Sequence, residues 1–138
     1  MCSSDLTSVD WGLDNKSCSI RVSAIGRLEY KIPDASVNPY LSHVALLAAI
    51  DDGLDRKLDP GAPQVKSSDD EPIATAAFDP LPRTLGAAVA KYGESALLRG
   101  AVGPELSDLL MEYKADEWAR YCGIVTEWER DMYLEFLP

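Results

Sequence analysis

The 138 residues carry a formal net charge of −10, with 46% hydrophobic and 26% charged residues, an ordinary balance for one globular domain with a real core. That charge excludes a general nucleic-acid binder, because neutralising phosphates needs a basic surface. A local basic pocket remains open: between residues 16 and 31, Lys16, Arg21, Arg27 and Lys31 stand against Glu29 alone.

The chain opens on Met1-Cys-Ser-Ser-Asp-Leu6, which differs in character from the rest of the chain. It reads as an assembly scar, with the domain spanning 7–138 and natural coding sequence expected upstream. It has no charged n-region followed by an apolar h-region, so it does not read as a signal peptide. No apolar run approaches the ~20 residues a membrane span needs.

Residues 17–23 and 27–32 alternate in polarity around Ala24-Ile25-Gly26. This predicts an antiparallel hairpin with a short glycine-containing turn. Period two places Arg27, Glu29 and Lys31 on one face and Leu28, Tyr30 and Ile32 on the other. On the first strand, Ser19 and Arg21 share the polar face. Arg21, Arg27, Glu29 and Lys31 are therefore expected to converge on one open surface. Read alone, such a stripe is either a charge ladder or a metal-ligating carboxylate flanked by phosphate-binding cations.

Asn38-Pro39 predicts a helix N-terminus, with Asn38 as cap and Pro39 in the first turn. The helix is expected to run to about Leu58 and to stop at Pro60-Gly61. Tyr40 to Ile50 is apolar nearly all round, so it needs a large covering surface and is expected to be poorly covered within these residues. His43, inside that stretch, reads as a packed, hydrogen-bonded core histidine.

Residues 60–82 hold five prolines and read as a surface loop, in which the acidic run Ser67–Glu71 is solvated. Thr84 is expected to cap a helix to about Tyr92 that Gly93 breaks, with a further turn or two over Ser95–Arg99. The longest helix is predicted at 104–122, with Leu106, Leu109, Leu110, Tyr113, Glu117 and Trp118 at helical spacing and Gly123 as its end. Thr126 and Glu129 form a capping-box signature opening a last helix to about Phe136. The fold class is α+β, an antiparallel hairpin followed by a mainly helical region. Trp118 and Trp128 read as core or subunit-contact aromatics.

The three cysteines are far apart and form no cluster with the single histidine. A structural zinc site and a disulfide framework are both disfavoured, and the compartment reads as reducing and cytoplasmic. Cys18 reads as a small buried hydrophobe.

Asp14-Asn15-Lys16-Ser17-Cys18-Ser19-Ile20-Arg21-Val22, Gly26-Arg27-Leu28-Glu29-Tyr30-Lys31 and Asp34-Ala35-Ser36-Val37-Asn38-Pro39-Tyr40-Leu41 occur in this order. Asp52 to Gly61, Leu81-Pro82-Arg83-Thr84-Leu85, Glu117-Trp118 and Val125 to Glu129 come after them. Together they resemble the C-terminal part of the glutamine synthetase catalytic domain, over nearly all of residues 10–138. The spelling is most similar to the branch holding type III bacterial enzymes and γ-glutamylmethylamide synthetases.

The resemblance implies a fragment of a catalytic barrel and an ATP-dependent ligation of ammonia to glutamate through γ-glutamyl phosphate, with Mg2+ or Mn2+. It implies Glu29 as a metal ligand, and Arg21 and Arg27 as holders of the nucleotide phosphates. It implies Lys16 near the transferring phosphate, and Lys31 on glutamate and that same phosphate. It further implies a homo-oligomer whose active sites are shared between subunits. Lys16 and Lys31 stand where the family usually has arginine, which keeps charge but loses the bidentate fork. A basic residue of the longer family turn has no match, nor does the tyrosine that some members have adenylylated. The remaining family metal ligands lie upstream of the matched region, so this chain alone is expected to be inactive. Two other readings stay open: a γ-glutamyl ligase for another amine such as methylamine, and a non-catalytic module that binds nucleotide or docks on a partner.

Overall fold

A computed structural model describes residue 6, residues 8–64 and residues 79–136. The chain divides into two units, Met1–Leu81 and Pro82–Pro138. The assembly-scar expectation for residues 1–6, Leu6 apart, and the acidic run Ser67–Glu71 both lie outside the described residues.

In the first unit, three short strands form a mixed sheet in the order β1 (Trp11–Leu13), β2 (Ile20–Ala24), β3 (Arg27–Tyr30). The β2–β3 hairpin is antiparallel, pairing Ile20 with Tyr30, Arg21 with Glu29 and Val22 with Leu28. Its register shifts between Val22 and Ala24, which leaves Ala24 opposite Arg27. The turn is the two residues Ile25-Gly26, and Gly26 takes φ of 74°, a left-handed conformation natural to glycine.

The parallel strand β1 is not foreshadowed in the sequence. Three residues with a central glycine are too short to show a period. Gly12 is required there by close approach: a Cβ would lie 2.8 Å from Cys18 Sγ and 2.9 Å from the Gln64 carbonyl. Trp11 ties β1 to the segment after the helix, its Nε1 donating to the carbonyls of Pro60 (3.1 Å) and Gly61 (3.2 Å). Gln64 N–H donates to Trp11 O at 2.8 Å.

The buried centre of this unit is small and partly polar. Cys18, Ser19, Ser8 and Asp10 are buried. Ser19 N–H donates to Asp10 Oδ1 at 2.7 Å, and Ser19 Oγ donates to the Ser8 carbonyl. Ser19 is thus not on the open polar face with Arg21 as its parity suggested. It precedes β2, where strand alternation does not yet hold, and Asp10 satisfies its backbone inside.

Helix α1 (Pro39–Asp55) starts as the sequence indicates: Asn38 Oδ1 accepts from the N–H groups of Tyr40 and Leu41. It ends earlier than Leu58, and not because of Pro60-Gly61. Lys57 adopts φ of 52°, with Leu58 N–H donating to Gly53 O and Lys57 N–H to Leu54 O. These two bonds are the Schellman closure, here built on a lysine where glycine is usual. No residue of α1 is buried, and among the described residues the helix packs on none of the strands of its unit. Tyr40 is 82% and Leu54 72% exposed, in line with the expected lack of cover. His43 is exposed and not a core residue; its Nδ1 bonds the Pro39 carbonyl one turn back.

The second unit is helical: α2 (Leu85–Glu94), α3 (Ala96–Val102), α4 (Pro104–Cys122) and α5 (Glu127–Tyr133), closing in a 3₁₀ turn at Leu134–Phe136. Gly93 does not break α2. A Cβ at Gly93 would lie 2.8 Å from Met111 Cε, and one at Gly86 would lie 2.5 Å from Trp118 Nε1. Glycines seven apart on α2 therefore receive large side chains seven apart on α4, two turns along each helix. Ser95 separates α2 from α3 and caps the latter, its Oγ accepting from Leu98 N–H. Ser107 is fully buried and accepts from Tyr92 Oη at 3.0 Å. The packed row of α4 is Ser107, Met111 and Trp118, whereas Leu106, Leu109 and Tyr113 are exposed. Trp118 also stacks on Tyr121 at 5.5 Å, while Trp128 is exposed and meets Tyr133 edge-on. The Thr126–Glu129 capping box is present in both directions.

Candidate functional site

The antiparallel register sets Arg21 directly opposite Glu29. Arg21 Nη1 donates to both carboxylate oxygens, at 3.2 and 2.9 Å. Arg27, two residues before Glu29 on the same face, approaches Oε1 at 3.7 Å. The guanidinium of Arg21 has a second edge, and Asp14 takes it: Nε donates to Asp14 Oδ1 at 3.1 Å, and Nη2 pairs with the same oxygen. Asp14 reaches this place from the turn after β1, held by its N–H to the Val22 carbonyl at 2.9 Å and with φ of 49°.

Three of the five sequence-predicted residues, Arg21, Arg27 and Glu29, are thus joined in one ion-pair group. Arg21 is its inner member, with 18% of its side chain exposed against 33% for Glu29 and 74% for Asp14. Hydrogen bonds to Asp14 first, then Glu29, hold Arg21 more firmly protonated than a free arginine.

Lys16 and Lys31 are placed differently. Lys16 is exposed in a turn in which Asn15 Oδ1 accepts from Ser17 N–H (3.0 Å) and Ser17 Oγ (2.7 Å). Lys31 comes just after β3, its N–H donating to Ser19 O at 3.0 Å. The ammonium of Lys31 favours the thiolate of buried Cys18, but burial and then Asp10 outweigh it and push that thiol up. Among the described residues, the cations that pair with Glu29 are Arg21 and Arg27, and neither lysine joins them.

Asp14 is the member that sequence reasoning missed. Its signal was an acid just after the Trp11–Leu13 segment and next to Asn15 and Lys16, and it gains meaning only once β1 is known to lie beside β2. Among the described residues, no three or more His, Cys, Asp or Glu side chains are grouped so as to hold a metal ion. Glu29 alone, already bound to Arg21, does not make a divalent-metal centre. Nor is any described helix long and apolar enough to cross a membrane.

Residues 5–133 match the family model for the glutamine synthetase catalytic domain. The chain is 39% identical over 129 residues to a glutamate–methylamine ligase of Methyloversatilis universalis, covering 91% of this chain and 29% of that protein. It is 37% identical over 134 residues to a glutamine synthetase of Halobacterium salinarum, covering 92% and 30%. A solved GmaS–ADP complex superposes with a TM-score of 0.87 at 32% identity, over 94% of this chain and 30% of that one. The chain therefore spans under a third of the length of these relatives. With a match across nearly its whole length, this chain belongs to the glutamine synthetase catalytic-domain family.

Proposed function

We propose that these residues supply the nucleotide-phosphate face of an ATP-dependent ligase that joins ammonia to glutamate. The γ-phosphoryl group passes from ATP to the glutamate side-chain carboxylate, giving γ-glutamyl phosphate and ADP. Ammonia then displaces phosphate and leaves glutamine. The observation that carries the proposal is the cross-strand pair Arg21–Glu29 with Arg27 beside it, inside a match to a catalytic domain of this chemistry.

Each residue has a role in this reading. Arg21 and Arg27 hold nucleotide phosphates, for which a planar guanidinium is well shaped. Lys16 and Lys31 act as point charges on the transferring phosphoryl group, and Lys31 also on the glutamate substrate. Glu29 contributes one carboxylate to a magnesium or manganese centre whose other ligands lie outside the 138 residues. The same reading gives a cytoplasmic homo-oligomer with active sites completed between subunits, and a hairpin that forms part of a catalytic barrel.

Methylamine as acceptor is the second reading. It is favoured by the 39% identity to the glutamate–methylamine ligase and by the GmaS fold match.

The test grafts the 138 residues in place of the matching segment of that glutamate–methylamine ligase. ATP- and glutamate-dependent phosphate release is measured with ammonia or methylamine. Release by the graft and none by the 138-residue chain alone is expected. Robust release by the chain alone overturns the reading, because one carboxylate and four cations then suffice for the chemistry.

A further inference from the structure

All three nitrogens of the Arg21 guanidinium are engaged. Nη1 serves Glu29 through two hydrogen bonds, and the Nε–Nη2 edge serves Asp14. A phosphoryl group held by a fork needs one free edge with two N–H donors. The Nη1 side, toward Glu29, is the inner one, and the Glu29 side chain is two-thirds covered. The edge toward Asp14 is the outer one, and Asp14 is largely exposed. An anion arriving at that outer edge meets the Asp14 carboxylate on the same donors. Two like charges cannot share them, so one must leave. An exposed carboxylate gains little from such a pair and is the weaker claimant.

We infer that Asp14 is a displaceable stand-in for a phosphoryl oxyanion on the outer edge of Arg21. It holds the guanidinium in its working orientation when no phosphate is bound, and it competes with phosphate for the same two N–H donors. The inference rests on the reading of Arg21 as a phosphate holder and adds to it a residue that sets affinity. Asp14 is suited to yielding. It sits in the turn just after a three-residue strand, in a left-handed conformation that asparagine and aspartate tolerate. Its backbone N–H stays anchored on Val22 while the side chain swings away.

The experiment is calorimetric titration of the 138-residue chain with ADP and, separately, with pyrophosphate. It compares the wild type with Asp14→Asn, Asp14→Ala and Arg21→Met. Asparagine keeps the shape and removes the charge; alanine provides a second variant should asparagine disturb the turn. The expected result is binding about two- to five-fold tighter in both Asp14 variants, and weaker in Arg21→Met. A gain for both probes assigns the edge to a phosphate chain as such; a gain for ADP alone assigns it to a nucleotide. Unchanged or weaker binding in the Asp14 variants, with Arg21→Met still weakened, overturns the competition and leaves Arg21 as a phosphate holder. Wild-type binding by Arg21→Met overturns that parent reading instead. No binding of either probe by the Asp14 variants overturns the competition too.

Discussion

Arg21 and Glu29 are cross-strand partners in the β2–β3 register, and one guanidinium nitrogen, Nη1, serves both oxygens of the Glu29 carboxylate at 3.2 and 2.9 Å. The two strands hold both side chains in place, so less entropy opposes the pair than in a mobile surface pair. A double-mutant cycle on Arg21→Ala and Glu29→Ala, read by urea unfolding, should therefore be non-additive. The double variant should lose less stability than the two single losses added together. Strict additivity would mean that the geometry carries no energy of its own.

Gly86 and Gly93 look alike in sequence but face different neighbours. The Gly86 Cβ position is blocked by the rigid indole of Trp118, the Gly93 position by the flexible end of Met111. Alanine gains up to about 1 kcal/mol of helix propensity at either site. Gly86→Ala should nonetheless lose about 1–3 kcal/mol through overpacking, while Gly93→Ala should be near neutral. Thermal unfolding of the two variants compares them directly, and equal stability would contradict the α2–α4 seam.

Lys57 closes α1 at φ of 52°. A left-handed conformation costs a residue with a Cβ about 1–2 kcal/mol, while glycine's looser unfolded chain returns part of the gain. Lys57→Gly should therefore stabilise the first unit by about 0.5–1 kcal/mol. Chemical denaturation measures it; a loss of stability would show that the lysine side chain matters more than its backbone.

Glu129 accepts from the Thr126 backbone N–H at 2.8 Å and from the Thr126 hydroxyl at 2.9 Å. These bonds, the backbone one first, hold its carboxyl below the usual glutamate value. A lowered folded value means that stability is present above the ordinary glutamate range and lost as pH falls through the folded value. Helical circular dichroism should accordingly show less acid sensitivity in Glu129→Gln than in the wild type. An identical acid transition would rule Glu129 out as a contributor.

The elements that carry local chemistry were legible in the sequence. Asn38-Pro39 and the Thr126–Glu129 box are spelled by capping residues, and the hairpin by strict alternation around Gly26. What escaped depends on partners far along the chain. Gly93 reads as a breaker until Met111 fills its notch, and the α4 face packed on α2 holds Ser107, Met111 and Trp118 rather than Leu106 and Leu109. Ser19 and His43 exchanged their expected places because Asp10 satisfies the first inside, while nothing among the described strands covers the second. In the site, Arg21, Arg27 and Glu29 are reached from strand parity. Asp14 is not, since its approach needs a parallel strand that three residues cannot announce.

The central claim is that Glu29, bound by Arg21 and flanked by Arg27, belongs to a phosphoryl-transfer site. Its most direct measure is phosphate release by the grafted ligase with and without Glu29→Ala, circular dichroism confirming that both are folded. Glu29→Ala should lower ATP- and glutamate-dependent release at least about a hundred-fold. Release unchanged by Glu29→Ala in a folded graft would contradict the claim.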